Sequence, residues 1–347
     1  MDVNIKRDIK SLLPCELEDY FESTGEQKFR AKQVFSWLHK GFDFSQMNNI
    51  SVALRKKLDD EFFISSLEMA EKHVSGIDGT VKYLWRLHDE ETIESVLMDY
   101  SHGISICISS QVGCKMGCIF CASSIGGFVR NLSASEILDQ VLFSQNDSGK
   151  RISNIVLMGM GEPLDNFENV MRFIKLICHR DGINIGARHI TLSTCGLPEN
   201  IDRLSEYDVQ LTLAISLHAP DDETRTMLIP SNSKTNIREL LDAGDRYFNK
   251  TGRRVTYEYA LIDGINDSTL QAELLSSLLK NTTSHLNLIS LSGVKEHILN
   301  ASTKINVSNF ANILKKNNIN FTVRRSLGCD IDASCGQLRR RFRDTAN

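Results

Sequence analysis

No apolar run in the chain approaches the length of a membrane span, and its start, Met1-Asp-Val-Asn-Ile-Lys-Arg7, lacks the apolar core of a signal peptide. Membrane contact is therefore not expected. There is no internal repeat and no low-complexity tract, which leaves an ordinary globular chain as the expectation. Positive charge is also in short supply: the net charge of −4 gives no global sign of nucleic-acid binding. Cysteine is not scarce, but the nine cysteines are odd in number and unevenly spread. A chain this large needs no disulfide staples, so the thiols are expected to be ligands or reagents in a reducing cytoplasm. A hydrophobic content of 41% and a charged content of 24% are usual for a globular protein. The 347 residues leave room for one large domain and a small accessory one.

Three cysteines fall within eight residues, Cys114-Lys-Met-Gly-Cys118-Ile-Phe-Cys121, directly after the β-type stretch Ile104–Gly113. This spacing suits thiolates folded round one corner of an iron–sulfur cube. Three protein ligands for four irons leave one iron open to chelate a substrate or cofactor. The aromatic residue before the last cysteine resembles the radical S-adenosylmethionine (SAM) enzymes, in which SAM takes that position. A zinc knuckle and plain structural thiols are the alternatives. Structural zinc prefers four ligands closed round the metal, and no nearby Cys or His supplies the fourth.

Residues 1–65 read as helical, with Phe29, Val34, Trp37 and Leu38 at helical spacing and a second amphipathic stretch from Ile50 to Phe63. Residues 66–100 switch to strand character, best seen in Lys82–Leu87 and Thr92–Met98. A β/α alternation follows. Its strands are expected at Ile104–Ser110, Ile155–Met158, His189–Ser193, Leu211–Ser216, Arg254–Ile262 and His285–Leu291. Ser133-Ala-Ser-Glu136 is a capping box opening the first helix, and others are expected near 166–178, 235–248 and 268–280. A helix near 306–317 and a strand at Asn320–Arg325 close the series. Six such units in order predict an α/β fold, a parallel sheet curled into an incomplete (β/α)6 barrel with an N-terminal helical accessory domain. The expected division is 1–65, a β extension over 66–100, the barrel over 101–325, and a loop with a basic tail over 326–347.

Barrel chemistry sits at the carboxyl ends of the strands. The cysteine loop follows the first strand, and Met158-Gly-Met-Gly161-Glu162-Pro163 follows the second. Ser193-Thr-Cys-Gly196 follows the third, and the fourth ends in Ser216-Leu217-His218. Glycines there would let the backbone approach a ligand's amino and carboxylate groups, with Glu162 accepting from an ammonium. Taken singly, a Gly-x-Gly pair makes turns and a lone histidine packs in a core; the coincidence of four rims carries the reading.

At these residues the chain resembles the radical-SAM RNA adenine methyltransferases. The motifs are Cys-x3-Cys-x2-Cys, Gly126-Gly-Phe-Val-Arg-Asn-Leu132, Gly159-Met-Gly-Glu-Pro163, Ser216-Leu-His-Ala-Pro220 and Asp330-Ile-Asp-Ala-Ser-Cys-Gly-Gln-Leu338. The likeness runs from about Phe29 to Arg343. One branch methylates adenine C2 in 23S rRNA and tRNA, and the other methylates C8; Phe29–Trp37 resembles the C2 branch. The resemblance implies a 4Fe–4S cluster on Cys114, Cys118 and Cys121, and two SAM molecules per turnover. Gly161, Glu162, Ser193, Ser216, Leu217, His218 and Ser292 are the implied SAM contacts. It further implies that Cys335 takes a methyl group from one SAM. A 5′-deoxyadenosyl radical from the second SAM then removes hydrogen from it, and the resulting radical adds to the base. Cys107, seven residues before Cys114, would resolve the adduct by forming a disulfide with Cys335, and Glu94 would accept the C2 proton. The family's sixth strand ends Asn-Leu-Ile-Pro-x-Asn-Pro; here Asn287-Leu-Ile-Ser-Leu-Ser292-Gly293 lacks both prolines and puts Ser292 in place of the second Asn. Cys15, Cys178, Cys195 and Cys329 match no such role and are expected to be structural thiols.

The expected partners are 23S rRNA, tRNA and a flavodoxin- or ferredoxin-type electron donor, with the protein acting as a monomer in the cytoplasm. Residues 321–347 hold six arginines, Arg339, Arg340, Arg341 and Arg343 among them, against three aspartates. This basic end and the N-terminal helices are the expected RNA-gripping surfaces. The segment around Cys335 reads as a mobile loop that visits SAM and then the base. The alternatives are a C8 methyltransferase and a non-catalytic iron–sulfur RNA-binding assembly factor.

Overall fold

The computed structural model describes residues 6–293 and 299–340. Three helices open the chain: α1 (Pro14–Ser23), α2 (Phe29–Leu38) and α3 (Val52–Glu61). Their apolar stripes, with Leu17, Phe21, Val34, Phe35, Leu54 and Leu58 fully buried, join the core of the barrel without a break. Lys10 fastens this region to the barrel, its Nζ donating to both carboxylate oxygens of buried Asp139 at 2.7 and 2.6 Å.

The main sheet has ten strands. β1 (Glu68–Val74), β2 (Val81–Arg86), β3 (Thr92–Tyr100) and β4 (Gly103–Cys107) form an antiparallel meander. β4 is also the first strand of a parallel array. It continues through β5 (Ile152–Leu157), β6 (Ile190–Thr194), β7 (Thr212–Ser216), β8 (Val255–Leu261), β9 (Ser284–Ser290) and β10 (Phe321–Arg324). The strands stand in chain order, so each β–α crossover advances one step and the sheet curls into the expected incomplete barrel.

The capping box forms at α4 (Ala134–Ser148). Ser133 Oγ accepts from Glu136 N at 3.3 Å, while Glu136 Oε2 accepts from Ser133 N at 2.8 Å. The helices α5 (Phe167–Cys178), α8 (Ile237–Thr251), α9 (Thr269–Leu279) and α10 (Lys304–Lys316) lie where the apolar periodicity puts them. Two short helices, α6 (Pro198–Ser205) and α7 (Asp222–Leu228), were not anticipated, because one or two turns carry too little periodicity to stand out. The first barrel strand is shorter than expected. Its ladder stops at Cys107, and residues Gln111–Val112 leave it to pair with Arg130–Asn131.

His39, at the C-terminal end of α2, stacks on Phe35 with ring centroids 3.9 Å apart, and neither ring nitrogen has a hydrogen-bond partner among the described residues. Burial, with a further push from His179 and Lys10, holds its pKa down at about 3, against 6.5 for the free side chain. Below pH 6.5 the unfolded chain takes up this proton and the folded one does not, so stability is lost as pH falls toward 3. The loss at pH 5 is expected to be on the order of 2 kcal/mol. Urea unfolding at pH 7 and pH 5 checks this: His39→Leu removes the titration and should narrow the gap between the two curves.

Candidate active site

The loop after β4 carries the three clustered cysteines. Gly113 sits at φ +73°, and a Cβ there would lie 1.8 Å from Gly127 O, so only glycine lets the chain turn out of the strand at this point. Ser124 Oγ lies within hydrogen-bonding distance of the carbonyls of Cys118 (3.1 Å) and Cys121 (2.7 Å). Ile119 N donates to Leu228 O at 3.1 Å. These bonds fix the loop through its backbone.

Cys114, Cys118 and Cys121 line one cavity with about 910 Å³ of empty space, counted to its open mouth. Gly161, Glu162, Ser193, Ser216 and His218 line the same cavity, so four strand ends do meet at one rim. Among the described residues no three His, Cys, Asp or Glu side chains converge as a single metal ion requires. Burial pushes the Cys114 thiol up to about 12 and raises Cys118 and Cys121 as well. Iron bound here would reverse this preference by taking the thiolate directly.

The glycines of Gly159-Met-Gly161 line the cavity and also serve packing. A Cβ on Gly159 would lie 2.6 Å from the Ile108 carbonyl, and one on Gly161 the same distance from Gln111 Cβ. They let this loop pack against the chain leaving β4. Glu162 is buried, and its two oxygens accept from Cys195 N (2.8 Å) and Leu164 N (3.0 Å). Its burial raises its pKa and these bonds oppose the rise. The carboxyl group is thus held in place by the backbone of two neighbouring segments.

His218 is buried at φ +56°, edge-on to Phe120. Its Nδ1 accepts from Ala260 N at 2.9 Å, which puts the ring proton on Nε2. Burial, with Arg225 nearby, holds its pKa at about 3, so the ring is neutral. Arg225 is itself buried, donating to the carbonyls of Leu217, Ser216 and Cys195 and tying two strand ends together. Leu217 does not line the cavity as expected. Alternation along the chain turns its side chain into the core, where it is wholly buried.

Cys335 lies on a loop that is pinned rather than loose. Gly336 O accepts from Ala122 N (2.7 Å) and Leu338 O from Ser123 Oγ (2.7 Å), so this loop docks directly on the cysteine loop. Lys82 Nζ donates to Asp332 O at 3.0 Å, and Asp330 accepts from Ser75 Oγ and Gly76 N. Cys335 lines the cavity of the three thiols. It also lines a second one, of about 640 Å³, together with Cys107, Ser292 and Arg324. Ser292 thus lines the second cavity and not the one lined by Gly161, Glu162, Ser193, Ser216 and His218. Burial raises the Cys107 thiol to about 12, and desolvation by the surrounding walls raises that of Cys335 although its surface is exposed, while neighbouring Arg324 favours the thiolate of each.

Glu94 is neither solvated nor at either cavity. It is 1% exposed, faces Lys82 Nζ at 3.7 Å and accepts from Arg339 N at 2.9 Å. On β3 it precedes Val96 and Met98 on the same face, one step before the wall those two give to the second cavity. Arg340 is paired with Glu91, so the described part of the basic tail is engaged within the protein; Arg341 and Arg343 lie outside the described residues. Among the unassigned thiols, Cys15 and Cys329 are exposed rather than packed, and Cys195 is a wall of the first cavity. Glu258, in the middle of β8, was missed. It lines the first cavity, accepts from Asn287 Nδ2 at 2.9 Å and lies 3.7 Å from Arg324, while burial raises its pKa. A lone carboxylate inside Val255-Thr-Tyr-Glu-Tyr-Ala-Leu261 was the available signal, since a fully buried parallel strand has no place for an idle charge.

The curled parallel sheet and the cysteine loop after its first strand define a radical SAM enzyme. The Radical SAM superfamily profile matches residues 108–275, and that of the ribosomal RNA large subunit methyltransferase N-terminal domain matches residues 8–64. The crystal structure of a radical SAM methyltransferase from Sphaerobacter thermophilus is similar with a TM-score of 0.91 and 41% identity, covering 96% of this chain and 99% of that one. A probable dual-specificity RNA methyltransferase RlmN of Lachnoclostridium phytofermentans is 50% identical over 98% of this chain and 96% of its own length. The protein of the same description from Clostridium tetani is 49% identical over 96% of each. The chain belongs to the RlmN family of dual-specificity RNA methyltransferases. Membership implies a 4Fe–4S cluster and SAM as cofactors. No helix among the described residues is long and apolar enough to cross a membrane.

Proposed function

We propose that the protein methylates C2 of an adenosine in 23S rRNA and in tRNA, through a methyl group carried on Cys335. The observation that supports this most is that Cys335 borders two adjoining cavities, one with the three clustered thiols and Cys195, the other with Cys107. Cys114, Cys118 and Cys121 would hold the cluster, with Gly161, Glu162, Ser193, Ser216 and His218 around SAM. When bound, the two cofactors supply the methyl group and the one-electron chemistry that an electron-poor ring carbon demands. Cys335 Sγ takes the methyl in place of its proton, helped by the Arg324 guanidinium, and presents it to the base. Cys107, as thiolate, attacks the Cys335 sulfur; an S–S bond forms as the bond to the product carbon breaks, and an external reductant restores both thiols.

For Glu94 to accept the C2 proton, the bond from Arg339 N must open, so the Cys335 loop shifts during turnover. The division into 1–65, 66–100, 101–325 and 326–347 assigns RNA contact to the first and last segments. A flavodoxin- or ferredoxin-type donor, a monomeric state and a cytoplasmic location complete the reading. The test is anaerobic reconstitution with reductant, SAM, rRNA fragments and tRNA, followed by digestion and mass spectrometry. The expected product is 2-methyladenosine. A methyl group at C8 would move the protein to the other branch, and SAM consumption without 5′-deoxyadenosine or methylated RNA would sink the reading.

A further inference from the structure

We propose that the target nucleotide reaches Cys335 from the amino-terminal end of the barrel, through a cation-lined channel on the side of Cys335 away from the clustered cysteines. The inference rests on the RNA methylation proposed above. A third cavity, with about 990 Å³ of empty space, shares Met98, Tyr100, Val156, Arg324 and Arg325 with the cavity of Cys107 and Cys335. Along β5 and its exit the three spaces follow one another. Asn154 and Ile155 line the third, Val156 the third and second, Met158 the second and first, and Gly159 the first. On β6, Thr191 lines the third cavity and Ser193 and Thr194 the first. The sequence of cavities therefore runs along the strands from one end of the barrel to the other, with Cys335 on the way.

The charge of this third space sets its ligand. Arg188, Arg324 and Arg325 line it with His102 and His189, and no carboxylate is among its lining residues, in a chain whose net charge is −4. Arg324 is matched by Glu258, whereas Arg188 and Arg325 are exposed and have no ion pair among the described residues. SAM, with its sulfonium and ammonium, is repelled by such a lining, and a phosphodiester chain is attracted. Tyr100 and His102 stack at 5.1 Å with planes 17° apart, which offers a π surface to an unstacked base. A polymer entering here needs no passage past the cluster and SAM at the opposite rim.

The test compares R188Q/R325Q with R188K/R325K and with R246Q/R238Q, the last pair being on the outer surface of α8. Each protein, with its cluster reconstituted, is titrated with a tRNA transcript at several salt concentrations, and methylation of Cys335 is read separately by mass spectrometry. R188Q/R325Q is expected to bind roughly tenfold more weakly, with a salt slope flatter by about 1 to 2. The lysine pair and the outer pair should bind like wild type. Wild-type affinity and slope in R188Q/R325Q overturn the channel, as does an equal loss in the outer pair. If R188Q/R325Q also loses Cys335 methylation, the lysine pair decides: normal binding supports the channel and weakened binding overturns it. Wild-type protein that binds the tRNA through this channel without methylating it overturns only the proposed reaction.

Discussion

Cys107→Ala is expected to trap the protein on its RNA as a covalent species through Cys335, visible as a slowly migrating, nuclease-sensitive band that survives denaturation. Cys107 shares a cavity with Cys335 but does not line the one that holds the three clustered thiols. Its removal therefore leaves the cluster, methyl uptake and addition to the base intact and deletes only the sulfur that releases the product. Cys335→Ala is expected to do the opposite, with no methyl on protein or RNA and no band. The contrast is informative because Cys107 is a buried residue at the end of β4, and a purely structural cysteine there would behave differently. Its alanine variant would turn over normally or lose stability on the order of 1 kcal/mol. Normal turnover without an adduct would remove the disulfide step and leave the radical SAM assignment in place.

Loss of a cluster ligand should be as complete. Cys118→Ala is expected to abolish the brown colour of the reconstituted protein and the formation of 5′-deoxyadenosine. The fall should exceed the roughly 10–100-fold seen when outer-shell partners of a metal site are removed. The variant should remain folded, because the loop is fixed by Ser124, by Ile119 N on Leu228 O and by Ala122 N on Gly336 O. Far-UV circular dichroism together with iron and sulfide analysis separates the two effects. A folded Cys118→Ala protein that still carries a full cluster and cleaves SAM would refute the ligand assignment.

Much of the site was legible because its information is local. Cysteines three and four positions apart, a capping box at Ser133 and glycines after successive strands constrain the backbone within a few residues, and that constraint survives in a bare sequence. Period-two alternation located β3 and β4 but could not say which of the two faces meets the cavity. Glu94 shows the limit. Its spacing from Cys107 suggested a role, yet its surroundings are Lys82 from the next strand and Arg339 from the far end of the chain. The same limit applies to Ser292 and Leu217, one lining the second cavity rather than the first and the other turning into the core.

By itself, then, the sequence determined the order of β and α elements and the position of the cysteine loop after the first parallel strand, because each is written in short-range spacing and residue chemistry. Only the tertiary structure decided that Cys335 borders both the cavity of the three clustered thiols and that of Cys107, that Glu94 is held by Arg339 N, and that three arginines line a third cavity next to these. Those relations join residues from strands and loops far apart in the chain. They arise only when the sheet curls and the C-terminal loop docks on the cysteine loop, and no local pattern encodes a contact whose partner depends on that closure.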